Sequence, residues 1–146
     1  MIEAGFYIEK EIPRKWWVML FCGIDTPDDV DKVFGAVLSA GAGRKRAEIA
    51  ADELSKINSG YIFTDGSRRF SLIAMSRASN YAQLFNTVAH EINHLTAHVC
   101  ERFGYDTDGE KAAYIQGEIG QKMYPVIAEA ICPKCNCGKS HVKFLH

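Results

Sequence analysis

The sequence predicts an α+β fold, a small antiparallel or mixed sheet with amphipathic helices packed on it. Two strand-like runs open the chain, a hairpin pattern lies near its middle, and helix-period patterns fill most of the rest. At 146 residues it is long enough for one domain with its own core. The apolar share of 47 % and charged share of 24 % are those of an ordinary globular protein. A net charge of -1 argues against binding to nucleic acid or to an anionic membrane surface. The longest apolar run, Trp16 to Cys22, is too short to span a bilayer. The opening Met1-Ile2-Glu3-Ala4-Gly5 is acidic and lacks a hydrophobic region, so a cytoplasmic location is expected. The five cysteines fit reduced thiols better than a disulfide framework, because three crowd together at Cys132, Cys135 and Cys137. Residues 1–131 are expected to form the domain, with 132–146 a cysteine-rich tail.

Gly5 to Glu11 and Trp16 to Ile24 read as strands around a Pro13-Arg14-Lys15 turn. The second is continuously apolar, as a strand buried on both faces should be. Thr26-Pro27-Asp28-Asp29 is a helix start: a hydroxyl cap, proline at the first helical position, and acids against the positive end of the dipole. Val30, Val33, Phe34, Val37 and Leu38 then share one face, and after Gly41-Ala42-Gly43 so do Ala47, Ala50, Ala51, Leu54 and Ile57. Tyr61 to Thr64 and Phe70 to Met75 predict a hairpin around Asp65-Gly66-Ser67. Ser79 or Asn80 can cap a helix running to Phe103, whose expected buried stripe is Leu84, Phe85, Val88, Ile92, Leu95 and Val99. Gly104 is its stop. A last helix is expected from about Glu110 to Ile131, kinked or broken at Pro125.

The long capped helix carries His90-Glu91-Ile92-Asn93-His94. Residues four apart stand one turn above each other, so His90 and His94 can aim imidazole nitrogens at one ion. Glu91 stands beside them as a base for water. Two nitrogen ligands and a carboxylate base at this spacing point to a zinc-dependent hydrolase. A catalytic zinc takes three protein ligands and leaves one position open. The third is not His98, whose turn lies too far along the helix to converge. Ala97 and Cys100 occupy the positions where one zinc-protease class places a glycine and a third histidine, which argues against that class. Glu110 and Glu118 both remain open. Glu110 begins the next helix, although Thr107-x-x-Glu110 also matches a capping box, and a straight helical hairpin brings Glu118 closer to the level of His94.

The motif helix followed by Glu110-Lys111-Ala112-Ala113-Tyr114-Ile115-Gln116-Gly117 resembles the small gluzincin-type metallopeptidases, especially short proteins carried by phages and mobile elements. Their pattern is a His-Glu-x-x-His helix, an acidic loop, and then Glu-x-x-Ala-Tyr-x-x-Gly. The likeness covers roughly residues 58–131 and leaves the first 57 unmatched. It implies a minimal zincin-like fold, Zn2+ as cofactor, Glu110 as third ligand and Glu91 as base. It also implies a sheet strand beside the site, here Phe70–Met75, that takes an extended peptide or protein substrate as an added strand. Tyr114 would then donate to the developing oxyanion, its competing role being that of a core aromatic.

In the tail, Cys132-x-x-Cys135 has a zinc-knuckle spacing that Cys137 and His141 could complete. A small structural zinc site, a reduced tail without metal and a site shared with another chain or region are the competing expectations. The leading reading is a zinc metallopeptidase. The alternative is a non-catalytic metal-binding or interaction protein that keeps the scaffold, and an intact Glu91 favours the enzyme, since a structural site needs no base.

Overall fold

A computed structural model describes residues 1–131. Four strands form one sheet: β1 (Ile2–Ile8), β2 (Trp16–Ile24), β3 (Gly60–Asp65) and β4 (Phe70–Ser76). Four helices complete the α+β fold: α1 (Pro27–Ser39), α2 (Arg44–Leu54), α3 (Tyr81–Phe103) and α4 (Glu110–Ile131). The strand order is β1-β2-β4-β3. β1 and β3 run antiparallel to their neighbours, while β2 and β4 are parallel, so the sheet is mixed. Parallel neighbours need a long crossover, and α1 and α2 supply it between β2 and the β3–β4 hairpin.

Alternation along the central strands divides the core in two. Trp16, Val18, Leu20, Ile73 and Met75 pack with Leu95, Val99, Ile115 and Ile119 of α3 and α4. Phe21, Leu72 and Ala74 face the other way, onto Val33, Val37, Ala47 and Ala50 of α1 and α2. A sheet covered on both faces explains why β2 reads as an unbroken apolar run. Each fully buried Leu or Ile here is worth about 2–5 kcal/mol relative to alanine.

The cap on α1 forms as expected: Thr26 Oγ1 accepts from the Asp29 N–H at 3.2 Å, and Asp29 reaches back to the Thr26 N–H. Asn80 rather than Ser79 caps α3, accepting from the Gln83 N–H at 2.9 Å. Gly104 ends that helix in the left-handed conformation at φ 73°, and α4 continues through Pro125 to Ile131.

Several expectations need correction. β1 begins at Ile2 and stops at Ile8, because the N–H groups of Glu9 and Lys10 turn away from the sheet to the Glu118 carboxylate. Leu38 and Ile57 are exposed rather than core, and α2 already ends at Leu54. On α3 the stripe omits Phe85, 75 % exposed, and takes in Thr87 and Glu91 instead. One residue turns the helix by about 100°, so Leu84 and Phe85 cannot both face the sheet squarely. The capping-box register at Thr107 is also displaced, since α4 starts at Glu110 itself. β4 is interior, paired with β2 on one side and β3 on the other, and so cannot accept an added strand. The free edge nearest the motif helix belongs to β3. Among the described residues, no helix is long and apolar enough to cross a membrane.

Candidate active site

The site is assembled between α3 and the first residues of β3. Asn80 fixes where α3 starts, and burial of Leu95 and Val99 against the sheet fixes its rotation. That rotation leaves His90 and His94 exposed and turns Glu91 inward. The two histidines meet one turn apart, with His90 Nε2 3.0 Å from His94 Nε2 and the rings nearly perpendicular. A tetrahedral ion with Zn–N distances of about 2.0–2.1 Å would hold two nitrogens about 3.3 Å apart. The pair is therefore close to the spacing a shared zinc requires. Without an ion, one ring must donate and the other accept.

Glu91 is 3 % exposed, and among the described residues its Oε2 has no hydrogen-bond partner. Burial pushes its pKa up, while the neighbouring His90 acts the other way. Space for it comes from Gly60, the first residue of β3. A Cβ built on Gly60 would lie 2.6 Å from Glu91 Oε1 and 3.0 Å from its Cδ, well inside van der Waals contact. Any larger residue at this position would require the carboxylate or the start of β3 to shift.

One turn beyond His94, His98 is pinned to β3. Its Nδ1 lies 2.8 Å from Thr64 Oγ1, which is 2.7 Å from Ser71 Oγ, and Ser71 accepts from the Trp16 indole N–H at 3.1 Å. These links tie α3 to three strands. Half-buried, His98 has its pKa lowered first by desolvation. It positions the helix rather than joining the histidine pair.

The two candidate third ligands have different surroundings. Glu118 is 4 % exposed. It accepts from the N–H groups of Glu9 at 2.9 Å and Lys10 at 3.0 Å, and from Lys122 Nζ at 2.8 Å. It is fully engaged in tying α4 to the end of β1. Glu110 is exposed and accepts from the Tyr114 hydroxyl at 2.9 Å. Tyr114 is 56 % exposed, so it is no core aromatic. Among the described residues, no three His, Cys, Asp or Glu side chains are gathered as a metal would require. The structure thus brings His90 and His94 together, turns Glu91 inward from the same helix, and pairs Glu110 with Tyr114. Cys132, Cys135, Cys137 and His141 lie outside the described residues.

No protein-family model, curated protein or solved structure matches this chain. The site has to be read from its own chemistry.

Sequence reasoning did not find Gly60, which reads locally as the end of a helix. Its role depends on β3 lying beside α3, a contact 31 residues away along the chain. Nor did it find the cleft beside β3, lined by Arg46 of α2 and Arg102 of α3. No local signal joins those two arginines.

Proposed function

We propose that this chain is a zinc-dependent peptidase built on a minimal zincin-like scaffold. One observation carries the proposal: a buried carboxylate, Glu91, with an oxygen that has no hydrogen-bond partner among the described residues, on the same helix turn as two histidines whose nitrogens converge. Burying a carboxylate without partners costs several kcal/mol, and proteins tolerate that where the group has chemical work to do. A merely solvated histidine pair on a surface helix gives no reason for a glycine to be reserved for Glu91.

His90 and His94 fit two of the zinc ligands, and Glu110 is proposed as the third, since Glu118 has both oxygens engaged. The ion would supply a Lewis acid that polarises an amide carbonyl and lowers the pKa of water from about 16 towards about 7. The chain's own groups do the rest. Glu91 takes a proton from the attacking water and returns it to the leaving amine, and its raised pKa suits a base that must also act as an acid. Tyr114, displaced from its bond to Glu110, donates to the oxyanion, a contribution of about 10²–10³ in rate for one good donor. The free edge of β3 holds the substrate backbone as an added strand.

The test is metal analysis of the full chain with Cys132, Cys135 and Cys137 changed to serine, so that only the helix site is counted. Zinc should be retained at a ratio near one per chain, lost in His94→Ala, and weakened in Glu110→Ala but not in Glu118→Gln. Zinc binding indifferent to His94 would overturn the assignment. Zinc that stays bound while casein and peptide libraries remain uncut would favour the non-catalytic metal-binding alternative.

A further inference from the structure

We propose that the cleft along the free edge of β3 selects extended peptides carrying acidic side chains, with Arg46 and Arg102 as its specificity-determining residues. The proposal deepens the peptidase reading and rests on it only for the cleavage step. The cleft has a volume of about 640 Å3 and straddles β3. Arg46 and Ile49 of α2 form one wall, Glu101 and Arg102 of α3 form the other, and β3 runs between them. Because β3 is an edge strand, its outward N–H and C=O groups are available to an added strand.

Charge identifies the occupant. Arg44, Arg68 and Arg77 each pair with an acid of the chain, at Glu48, Asp65 and Asp25. Among the described residues, Arg46 and Arg102 take part in no ion pair. Both are exposed on the cleft walls. Among the described residues Glu101 is the only acid in the lining, against two arginines. Side chains of an added strand alternate between its two faces, and each face here meets one arginine. The guanidinium fork matches a carboxylate with two parallel hydrogen bonds.

The same geometry limits where the acids fall. Gly60 lies against Glu91, and a Cβ on Gly66 would lie 3.7 Å from Arg102 Cδ, so β3 and α3 run alongside each other in the same direction. From Gly60 to Gly66 an extended chain covers about 20 Å. The acid opposite Arg102 therefore falls within about six residues of the cleaved bond.

The experiment uses the full chain carrying Glu91→Gln, so that peptides bind without being cut. Fluorescein-labelled peptides of one sequence, carrying Asp and Glu, or Asn and Gln, or Lys at the same positions, are titrated by fluorescence anisotropy. The acidic peptide should bind about tenfold more tightly than the amide version at low salt, and this preference should shrink at high salt. Arg46→Gln with Arg102→Gln should abolish it. Equal affinity for the acidic and amide peptides, a preference that survives the double substitution, or no binding at all would overturn the proposal. Cleavage of the same peptides by the unaltered chain separates the two ideas. Acid-selective binding without cleavage keeps the cleft and removes the peptidase. Cleavage indifferent to the acids does the reverse.

Discussion

Glu91 and Glu118 are both buried glutamates on long helices facing the same core, yet their surroundings are opposite. Glu118 has three donors on its two oxygens and ties α4 to the chain beyond β1. Glu91 has an oxygen with no donor among the described residues, and a glycine packed against it. A satisfied buried charge is a structural joint, and removing it leaves its partners stranded. An unsatisfied one is a liability to folding, and the proposed general-base role gives it a reason. The difference predicts opposite outcomes for the same kind of substitution.

The largest effect belongs to Glu91. Glu91→Gln should lower peptide hydrolysis by about 10²–10⁴, the usual weight of a positioned general base. Stability should hold or rise, because a neutral amide is cheaper to bury than a carboxylate. Turnover equal to the parent would remove Glu91 from the mechanism. A large loss of stability would instead make it a joint like Glu118.

Glu118→Ala should show the reverse. Removing one partner of a buried pair costs about 3–5 kcal/mol, since the Glu9 and Lys10 N–H groups and Lys122 lose their acceptor. Urea denaturation reads this directly. Zinc retained per folded chain should not change. A loss under about 1 kcal/mol would mean that water replaces the carboxylate at no real cost.

The contrast between the glutamates also marks what the sequence could and could not tell. Period and caps placed α3, and the spacing of His90 and His94 put them on one face, which the structure leaves exposed. The same periodicity could not say that Glu91 turns inward, because the helix's rotation is set by the β2–β4 core it packs on. Glu118 looked like a ligand by axial level alone. Its commitment to Glu9 and Lys10 spans 109 and 108 residues of chain and leaves no local trace. The hairpin of β3 and β4 was legible from its turn, but the choice of edge strand was not. That depends on β2 pairing in parallel with β4 across the crossover, which no single stretch announces.

Gly60→Ala tests the space reserved for Glu91. The added methyl would meet Glu91 Oε1 at 2.6 Å, so the carboxylate or the start of β3 must shift. Overpacking of this kind costs about 1–3 kcal/mol. Hydrolysis should fall at least about tenfold through displacement of the base, since a misplacement of about 1 Å can cost 10². Coupling identifies the cause. In a Glu91→Ala background the same Gly60→Ala change should lose most of its destabilisation, giving an interaction energy of about 1 kcal/mol or more. Additive effects would mean that Gly60 is needed by the strand and not by Glu91.

The smallest effect, and the one that isolates the Glu118 joint most cleanly, is its dependence on pH. Burial alone would raise the Glu118 pKa, but the hydrogen bonds from Lys122 and from the Glu9 and Lys10 N–H groups outweigh it and hold the pKa below its ordinary value of 4.5. The folded state therefore binds fewer protons than the unfolded state in mild acid. The stability this supplies is fully present above the unfolded glutamate's ordinary pKa and is lost as pH falls through the lower folded value. Glu118→Gln cannot lose it. Urea midpoints measured from neutral pH downward should show a constant gap between parent and variant until the carboxylate range, and a narrowing gap below it. If the gap stays constant to the foot of that range, the carboxylate's charge contributes nothing to the joint, and Glu118 is only a neutral acceptor for the two N–H groups it caps.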